Sequence, residues 1–185
     1  PPVCATPFAT VAMERIPGFP RQPNDVRFYV YDSNGNLATS AALDDDGPKS
    51  IPQICLPCHG GTYAPITNSV SDATFLPFDV FSFLYPTVPG YSFANQEDKF
   101  QAHNAQVLWS QPAPAIAQLI NGWYGATGGV FNTAATPDPD FVPSGWSAER
   151  DVYENVMEPY CQTCHVAQVA SKDWDTFAEF KAANI

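Results

Sequence analysis

Apolar and polar positions alternate through the first part of the chain, as they do in β-strands. Val11 and Met13 fall on one face of the first alternating run, and residues 27–31 form a second run of mostly aromatic and β-branched side chains. An Asn-Gly pair separates this second run from residues 37–39. Because Asn-Gly readily forms a tight turn, the pattern predicts a small β-hairpin region near the N-terminus.

Helical spacing replaces this alternation in the second half of the chain. Residues 97–109 place His103 and Val107 on one stripe, which predicts that His103 faces the interior. Residues 113–121 run from a proline-rich start to Gly122, which is a typical beginning and end for a helix.

Two further helices are predicted near the C-terminus. Ser147 has the side chain of an N-cap for a helix that extends to about Glu158, and Asp173 can begin a last helix. A stretch rich in proline and aspartate predicts a boundary between an N-terminal lobe, residues 1–136, and a C-terminal helical segment, residues 137–185. We expect the two parts to form one compact unit.

The middle of the chain combines many aromatic side chains with prolines that interrupt any regular period. Residues 62–95 contain four prolines and these aromatic residues: Phe75, Phe78, Phe81, Phe83, Tyr85, Tyr91 and Phe93. Neither a helix nor a strand is compatible with that proline spacing. The pattern therefore predicts a long ordered loop that needs a large apolar object to pack against.

The charge balance excludes one broad class of partner. Eight basic residues against 19 acidic ones give the 185-residue chain a formal net charge of −11. This surface repels nucleic acids, and no basic stripe offsets it. No apolar run in the sequence is long enough to cross a bilayer, so we expect no membrane span.

One motif occurs twice and uses most of the cysteine and histidine in the chain. Two cysteines separated by two residues are followed directly by a histidine, at Cys55, Cys58 and His59 and again at Cys161, Cys164 and His165. In such a segment the two thiols can bond to the two vinyl groups of one haem, and the histidine can bind the iron as its proximal ligand. The repeat predicts two haem c groups held by thioether links.

Three other interpretations of the motif are open. Two Cys-x-x-Cys pairs can supply the four thiolates of a structural zinc site, but the histidine after each pair then has no role. A redox dithiol of the thioredoxin kind follows a strand in a βαβ unit, and that pattern is absent from the sequence. Two ordinary disulfides are the third alternative. The fifth cysteine, Cys4, can be buried or can bridge to another chain, and the sequence does not decide between these roles.

With these two motifs the chain resembles the dihaem c-type cytochromes. Residues 152–160, which lead into the second motif, look like the first helix of a small cytochrome c. The resemblance implies a mostly α fold with long ordered loops and the small N-terminal β-hairpin region, in which the haems form the core. The chain departs from a small cytochrome c because no methionine follows His165.

The remaining candidate iron ligands are few. The chain has three histidines, so after His59 and His165 only His103 remains, and at most one haem can have two histidine ligands from this chain. The candidates for the distal positions are His103, Met13 and Met157. Each also has an ordinary structural role available, as a core histidine or as a packing methionine.

The motifs favour a carrier of electrons over an enzyme. Because haem c is attached outside the cytoplasm in bacteria, the resemblance implies a periplasmic or extracellular protein. Its acidic surface favours redox partners with a positively charged docking surface. The alternatives are a peroxidase-like enzyme with one open haem, and a subunit of an oligomer or larger multihaem assembly.

Overall fold

The computed structural model describes residues 9–15, 26–42, 44–126, 132 and 134–184. The chain divides into two compact units, Pro1–Thr74 and Phe75–Ile185. The strands of the described residues all lie in the first unit, and the longer helices lie in the second. The boundary expected after residue 136 falls inside the second unit and stays a prediction. Cys4 lies outside the described residues.

The main sheet of the first unit has three antiparallel strands in the order β1 (Ala9–Arg15), β2 (Val26–Asp32) and β3 (Leu37–Ala38). A tight turn joins β2 to β3. In this turn Asp32 Oδ1 accepts hydrogen bonds from the backbone N–H groups of Asn34, at 2.8 Å, and Asn36, at 2.9 Å. Gly35 has a φ of 81°, which glycine adopts without steric cost. The hairpin predicted from the Asn-Gly pair is confirmed.

Two smaller sheets complete the strands of the first unit, β4 (Ser40–Ala41) with β5 (Lys49–Ser50) and β6 (Thr62–Ala64) with β7 (Ser69–Ser71). The core of this unit consists of the buried residues Val26, Val70 and Ala73. Partly buried Met13, Phe28, Leu56 and Tyr63 pack against it. Leu56 is the first residue of helix α1 (Leu56–His59), so this core fixes the segment that carries the first Cys-x-x-Cys-His motif.

Helices α2 (Phe93–Trp109) and α3 (Pro114–Trp123) build the main core of the second unit. Ile116 and Ile120 are fully buried, and each contributes about 1.5–3 kcal/mol by leaving water. Both predicted helices are present, but α3 continues through Gly122 instead of ending there. Gly122 instead makes room for Phe141, since a Cβ there would lie 2.1 Å from a ring carbon of that residue.

The prediction of one loop over residues 62–95 is wrong at both ends, where β6 and β7 form a hairpin and α2 begins at Phe93, because the prolines lie outside these elements. The proline-rich aromatic loop between β7 and α2 packs against helix α2. The buried amide of Asn104 accepts from the N–H of Phe78 at 2.8 Å and donates to its carbonyl at 2.9 Å. Aromatic rings of the loop also contact rings of the helix: Phe78 and Phe83 with Phe100, and Phe81 and Tyr85 with Phe93. The helix thus serves as an apolar support for this loop.

The C-terminal part consists of short helical pieces: α4 (Arg150–Val152), a π-helical turn (Tyr153–Met157), α5 (Glu158–Tyr160), α6 (Gln162–His165) and α7 (Phe177–Ala182). The π turn is closed by the Glu158 N–H, which donates to the carbonyl of Tyr153. Pro159 follows directly; it cannot donate a backbone hydrogen bond, and its ring crowds the preceding turn. A widened turn accommodates such a proline.

Both predicted C-terminal helix starts are wrong. The Ser147 hydroxyl donates to the carbonyl of Ser144 at 3.0 Å, and the helix begins at Arg150 instead. The last helix begins after Thr176, whose Oγ1 accepts from the Glu179 N–H at 3.3 Å. Asp173 therefore lies in the loop before α7.

The residues around these pieces form a second small core. Trp146, Tyr153, Met157 and Trp174 are buried together, and Cys161 packs against them. The Trp146 indole N–H donates to the Trp174 carbonyl at 3.0 Å, which ties the loop before α7 to this core. Across the described ranges, no helix has both the length and the apolar character needed to pass through a bilayer.

Candidate functional site

The first motif occupies one continuous helical turn. A 3₁₀ turn, Gln53–Cys55, leads directly into α1, and Pro57 lies in the first turn of that helix, where a missing N–H has no cost. Residues three apart on a helix lie on the same face, so Cys55 and Cys58 present their thiols to one side. Both cysteines are half-buried thiols.

The histidine of the first motif is held by a pair of hydrogen bonds to one residue. His59 Nδ1 lies 3.0 Å from the carbonyl oxygen of Thr74, and the Thr74 N–H donates to the His59 carbonyl at 2.9 Å. A carbonyl oxygen can only accept, so Nδ1 carries the hydrogen, and in the neutral ring Nε2 then keeps its lone pair. Burial lowers the pKa of His59, which favours that neutral form. Metal-binding histidines in proteins have this arrangement.

Gly61 brings the chain after the motif close to the strand that leads to Thr74. Its φ is 86°, and a Cβ there would lie 2.6 Å from the Ser71 oxygen and 2.7 Å from the Ala73 nitrogen. Only glycine allows this backbone approach. The glycine therefore helps to hold Thr74 at hydrogen-bonding distance from His59.

The second motif follows the π turn and α5. The Cys161 N–H donates to the carbonyl of Met157 at 3.0 Å, and α6 then carries Cys164 and His165. Cys161 is half-buried, whereas Cys164 is exposed, and both are thiols. The spacing again places the two sulfur atoms on one side of a short helix.

The histidine of the second motif makes the same type of contact as His59. His165 Nδ1 lies 2.7 Å from the Lys172 carbonyl oxygen, so its Nε2 is again the nitrogen without hydrogen in the neutral ring. In addition, its ring stacks on Trp174 with centroids 3.4 Å apart and an interplanar angle of 11°. The ring plane of His165 is thus fixed on one side by a buried indole.

Large apolar side chains are exposed around the second motif. Tyr160 is 81% exposed and Val169 is 65% exposed, and they lie directly before Cys161 and shortly after His165. Both side chains thus leave apolar surface in contact with water close in sequence to the second motif.

The electrostatics beside this motif depend on one carboxyl group. Burial raises the pKa of Glu158 to about 7, and the charges of Asp79 and Glu154 add to that effect while Arg150 opposes it. Nearby, the buried Tyr153 hydroxyl donates to the side-chain oxygen of Gln162, inside the second motif. The surroundings of the second motif are thus apolar enough to disfavour a negative charge.

The three candidate distal ligands lie in different settings. Met13 is on β1, packed against the core of the first unit, and Met157 is almost fully buried in the core that also contacts Cys161. His103 is exposed on α2, with its Nδ1 3.3 Å from the side-chain oxygen of Gln106. The expectation that His103 faces the interior is wrong, because the buried face of α2 is formed by Gln101, Asn104 and Val107.

Sequence reasoning identified both motifs but missed the groups that orient their histidines. The carbonyls of Thr74 and Lys172 carry no side-chain signal, so no pattern could have pointed to them. A helix that begins at Asp173, as predicted, would include Trp174, but the observed helix begins after Thr176 and leaves Trp174 in the preceding loop. Its role became evident only from the stack on His165.

One acidic group lies close to the second motif. Asp173, Asp175 and Glu179 each present a carboxylate oxygen within 4.8 Å of the others. Within the described residues this is the group of histidine, cysteine and acidic side chains whose geometry suits a metal ion, and it contains no motif cysteine.

Comparison with known proteins adds no relative to this picture. No protein-family model, no curated protein and no solved structure matches the chain, so its functional interpretation depends on the geometry of the two motifs.

Proposed function

We propose that this protein is a dihaem c-type cytochrome that carries electrons between redox partners outside the cytoplasm. The observation that carries the proposal is shared by both motifs. In each, the histidine directs Nδ1 to a backbone carbonyl and keeps Nε2 available, beside two thiols on one side of a helical turn. This combination suits a haem that is bonded through both thiols and bound at its iron by the histidine.

Each motif residue then has a defined role. Cys55 and Cys58 would form the thioether links of one haem, and Cys161 and Cys164 those of the other. His59 and His165 would bind the two irons through Nε2. A bound haem supplies a redox-active iron, and the chain supplies the ligand orientation and the apolar surroundings that set its potential.

The exposed apolar side chains near the second motif support the same proposal. A porphyrin ring is a large apolar surface, and it would cover groups such as Tyr160 and Val169 that otherwise face water. A zinc site of four thiolates has no use for such a surface, and it leaves both oriented histidines without a function.

The two sites are not equivalent in their available ligands. After His59 and His165, the chain has one further histidine, His103, and two methionines, Met13 and Met157. Unequal distal ligands would give the two irons different potentials, because a thioether ligand raises the potential relative to a second histidine. Such a difference would give electron transfer a preferred direction.

The proposal can be tested on protein made in a host that matures c-type cytochromes. A pyridine haemochrome assay with intact mass should give two covalent haems in the native chain, and one in Cys55→Ala/Cys58→Ala or in Cys161→Ala/Cys164→Ala. The control Cys4→Ser should retain both. A colourless native chain with the mass of its polypeptide alone would refute the proposal.

Electron transfer itself needs a second measurement. The net charge of −11 predicts fast transfer to partners with a positive docking surface and a rate that falls as ionic strength rises. Low-temperature electron paramagnetic resonance separates this role from that of a peroxidase. Two low-spin irons favour the carrier, whereas a high-spin iron that reacts with peroxide favours the enzyme.

A role within a larger assembly is the second candidate. Leu84, Ile66 and Trp109 are strongly exposed large apolar residues, at 100%, 98% and 75%, and they suit contact with other subunits. Molecular mass in solution, measured together with optical spectra over a range of concentrations, would reveal a ligand donated by a second chain. Spectra that are independent of concentration would exclude that role.

A further inference from the structure

The loop before α7 gathers three carboxyl groups next to the second motif. Asp173 and Asp175 flank Trp174 in this loop, and Glu179 lies in the first turn of α7. One oxygen from each lies within 4.8 Å of the other two. Three negative charges at this separation repel one another strongly unless a cation or protons neutralise them.

Two of these carboxyl groups have buried oxygens without partners. Asp173 is only 7% exposed, and its Oδ1 has no hydrogen-bond partner. Oε2 of Glu179 is buried and also lacks one. The ion pairs found among the described residues involve none of the three groups. A buried carboxylate oxygen without a partner is costly, and a cation bound between these groups would offset that cost.

We propose that Asp173, Asp175 and Glu179 form a Ca²⁺ site that fixes the loop carrying Trp174. The donor atoms are all carboxylate oxygens, which hard cations prefer. Oxygens bound to Ca²⁺ at about 2.3–2.6 Å can be up to about 5 Å apart on opposite sides of the ion. The observed separations fall inside that limit, so one ion can approach all three oxygens with only a small adjustment of the side chains.

The competing possibility is that protons neutralise the group. Burial raises the pKa values of Asp173 and Glu179, and the neighbouring carboxyl groups raise both further. Asp175 can share a proton with Glu179 through a side-chain hydrogen bond. A proton shared by that pair, however, leaves Oδ1 of Asp173 without a partner, whereas a cation would satisfy all three groups.

The site would act on the second motif through Trp174. Its ring stacks on His165, and its carbonyl accepts the Trp146 indole N–H. An ion held by the residues on either side of Trp174 would restrict the loop and therefore the indole plane. The site does not depend on the presence of haem, so its test is separate from that of the proposed function.

The test uses the full chain, stripped of divalent ions with a chelator at pH 7.5. Isothermal titration with CaCl₂ should show one ion bound per chain, with a dissociation constant on the order of 10⁻⁴ M or tighter. The melting temperature should rise with Ca²⁺, and much less with Mg²⁺. We expect Asp173→Asn and Glu179→Gln each to weaken Ca²⁺ binding by about tenfold or more, because each removes one charged ligand.

The control is Asp151→Asn, which removes an exposed carboxylate elsewhere in the same unit and should bind Ca²⁺ like the native chain. Asp175→Asn, at a less buried position, serves if Asp173→Asn does not fold. The proposal is overturned if the native chain shows no Ca²⁺ heat and no change in melting temperature. It is equally overturned if all of the folded site variants keep native affinity, since the ion would then bind elsewhere.

Discussion

The two motifs present the same three residues but are supported in different ways. His59 is held by two residues of the first unit that are distant in sequence. Thr74, which follows β7, makes reciprocal hydrogen bonds with it, and Phe28 on β2 makes a ring contact at 5.3 Å. His165 is held by a short loop that returns within seven residues to Lys172 and stacks Trp174 on the imidazole. The backbone carbonyl contact is thus common to both motifs, whereas the packing around each histidine is specific to its motif.

The largest loss of stability is expected from a substitution in the core that packs against Cys161 of the second motif. Trp146→Ala removes a side chain that is 1% exposed and the donor to the Trp174 carbonyl. We expect a loss of about 3–5 kcal/mol in the free energy of unfolding, measured by denaturant titration. Trp109→Ala, at a 75% exposed position, is the control and should change it by less than about 1 kcal/mol. Equal losses in the two variants would contradict the assigned core.

The next largest loss of stability is expected at Gly61, which follows the first motif. Gly61→Ala places a methyl group against the Ser71 oxygen and the Ala73 nitrogen at a φ that disfavours alanine. We expect a loss of about 2–4 kcal/mol, because backbone strain adds to the displacement of the strand.

Gly47→Ala separates these two contributions. Gly47 has a similar φ, 89°, but nothing lies within 4 Å of its Cβ position. This variant should lose only about 1 kcal/mol, the cost of the φ angle alone. A loss as large as that of Gly61→Ala would show that the close approach to β7 is unimportant.

Substitution of the ring that contacts each histidine should have a smaller effect, and it should alter the surroundings of one histidine at a time. Trp174→Leu removes the ring that stacks on His165, an interaction worth about 1 kcal/mol. If the chain binds two haems as proposed, we expect a changed resonance signal and potential for one iron only. Phe28→Leu should affect the other iron and by less, because that ring is tilted at 58° and more distant from His59. A change at both irons in either variant would argue against separate supports.

The smallest effect is a dependence of the free energy of unfolding on pH, through Glu158. The pKa of Glu158 is raised to about 7 in the folded protein, above its ordinary value of 4.5, so the folded state binds this proton more tightly than the unfolded state. The stability that this proton contributes is present below pH 4.5 and is lost as pH rises through about 7. Since the group is half exposed, we expect a fall of only about 1 kcal/mol.

Comparison with a variant isolates this contribution from those of other acids. Glu158→Gln should show a flatter decline in the free energy of unfolding between pH 4.5 and 7.5 than the native chain. Glu149→Gln, an exposed position on the same segment, should decline like the native chain. A native-like decline in Glu158→Gln would show that its proton does not stabilise the fold.

The sequence predicted those features whose cause is local. The Asn-Gly turn, the helices at 97–109 and 113–121 and the two motifs each depend on a few neighbouring residues. The predicted starts of the C-terminal helices are wrong because the Ser147 hydroxyl bonds back to the Ser144 carbonyl, and because Thr176, not Asp173, caps the last helix. The acidic group was missed for the same reason, since Asp173 was assigned to a helix.

The candidate site was predictable in its chemistry but not in its orientation. The spacing of cysteine and histidine identified the two motifs as candidate haem sites, and that assignment stays a prediction. The contacts that set the imidazole planes come from the carbonyls of Thr74 and Lys172, and any residue type supplies a carbonyl. The predicted buried face of α2 is wrong because it depends on a partner distant in sequence. Asn104 bonds to the backbone of Phe78 in the aromatic loop, so the side of the helix that carries Asn104 is the buried one.

The sequence distance from each histidine to its carbonyl partner has a consequence for biogenesis. Lys172 follows His165 by seven residues, whereas Thr74 follows His59 by fifteen and a hairpin lies between them. Closing the longer segment costs more chain entropy, by about 0.7 kcal/mol from length alone. During folding we therefore expect the imidazole of His165 to reach its final orientation early, and that of His59 to do so only after strands β6 and β7 have paired.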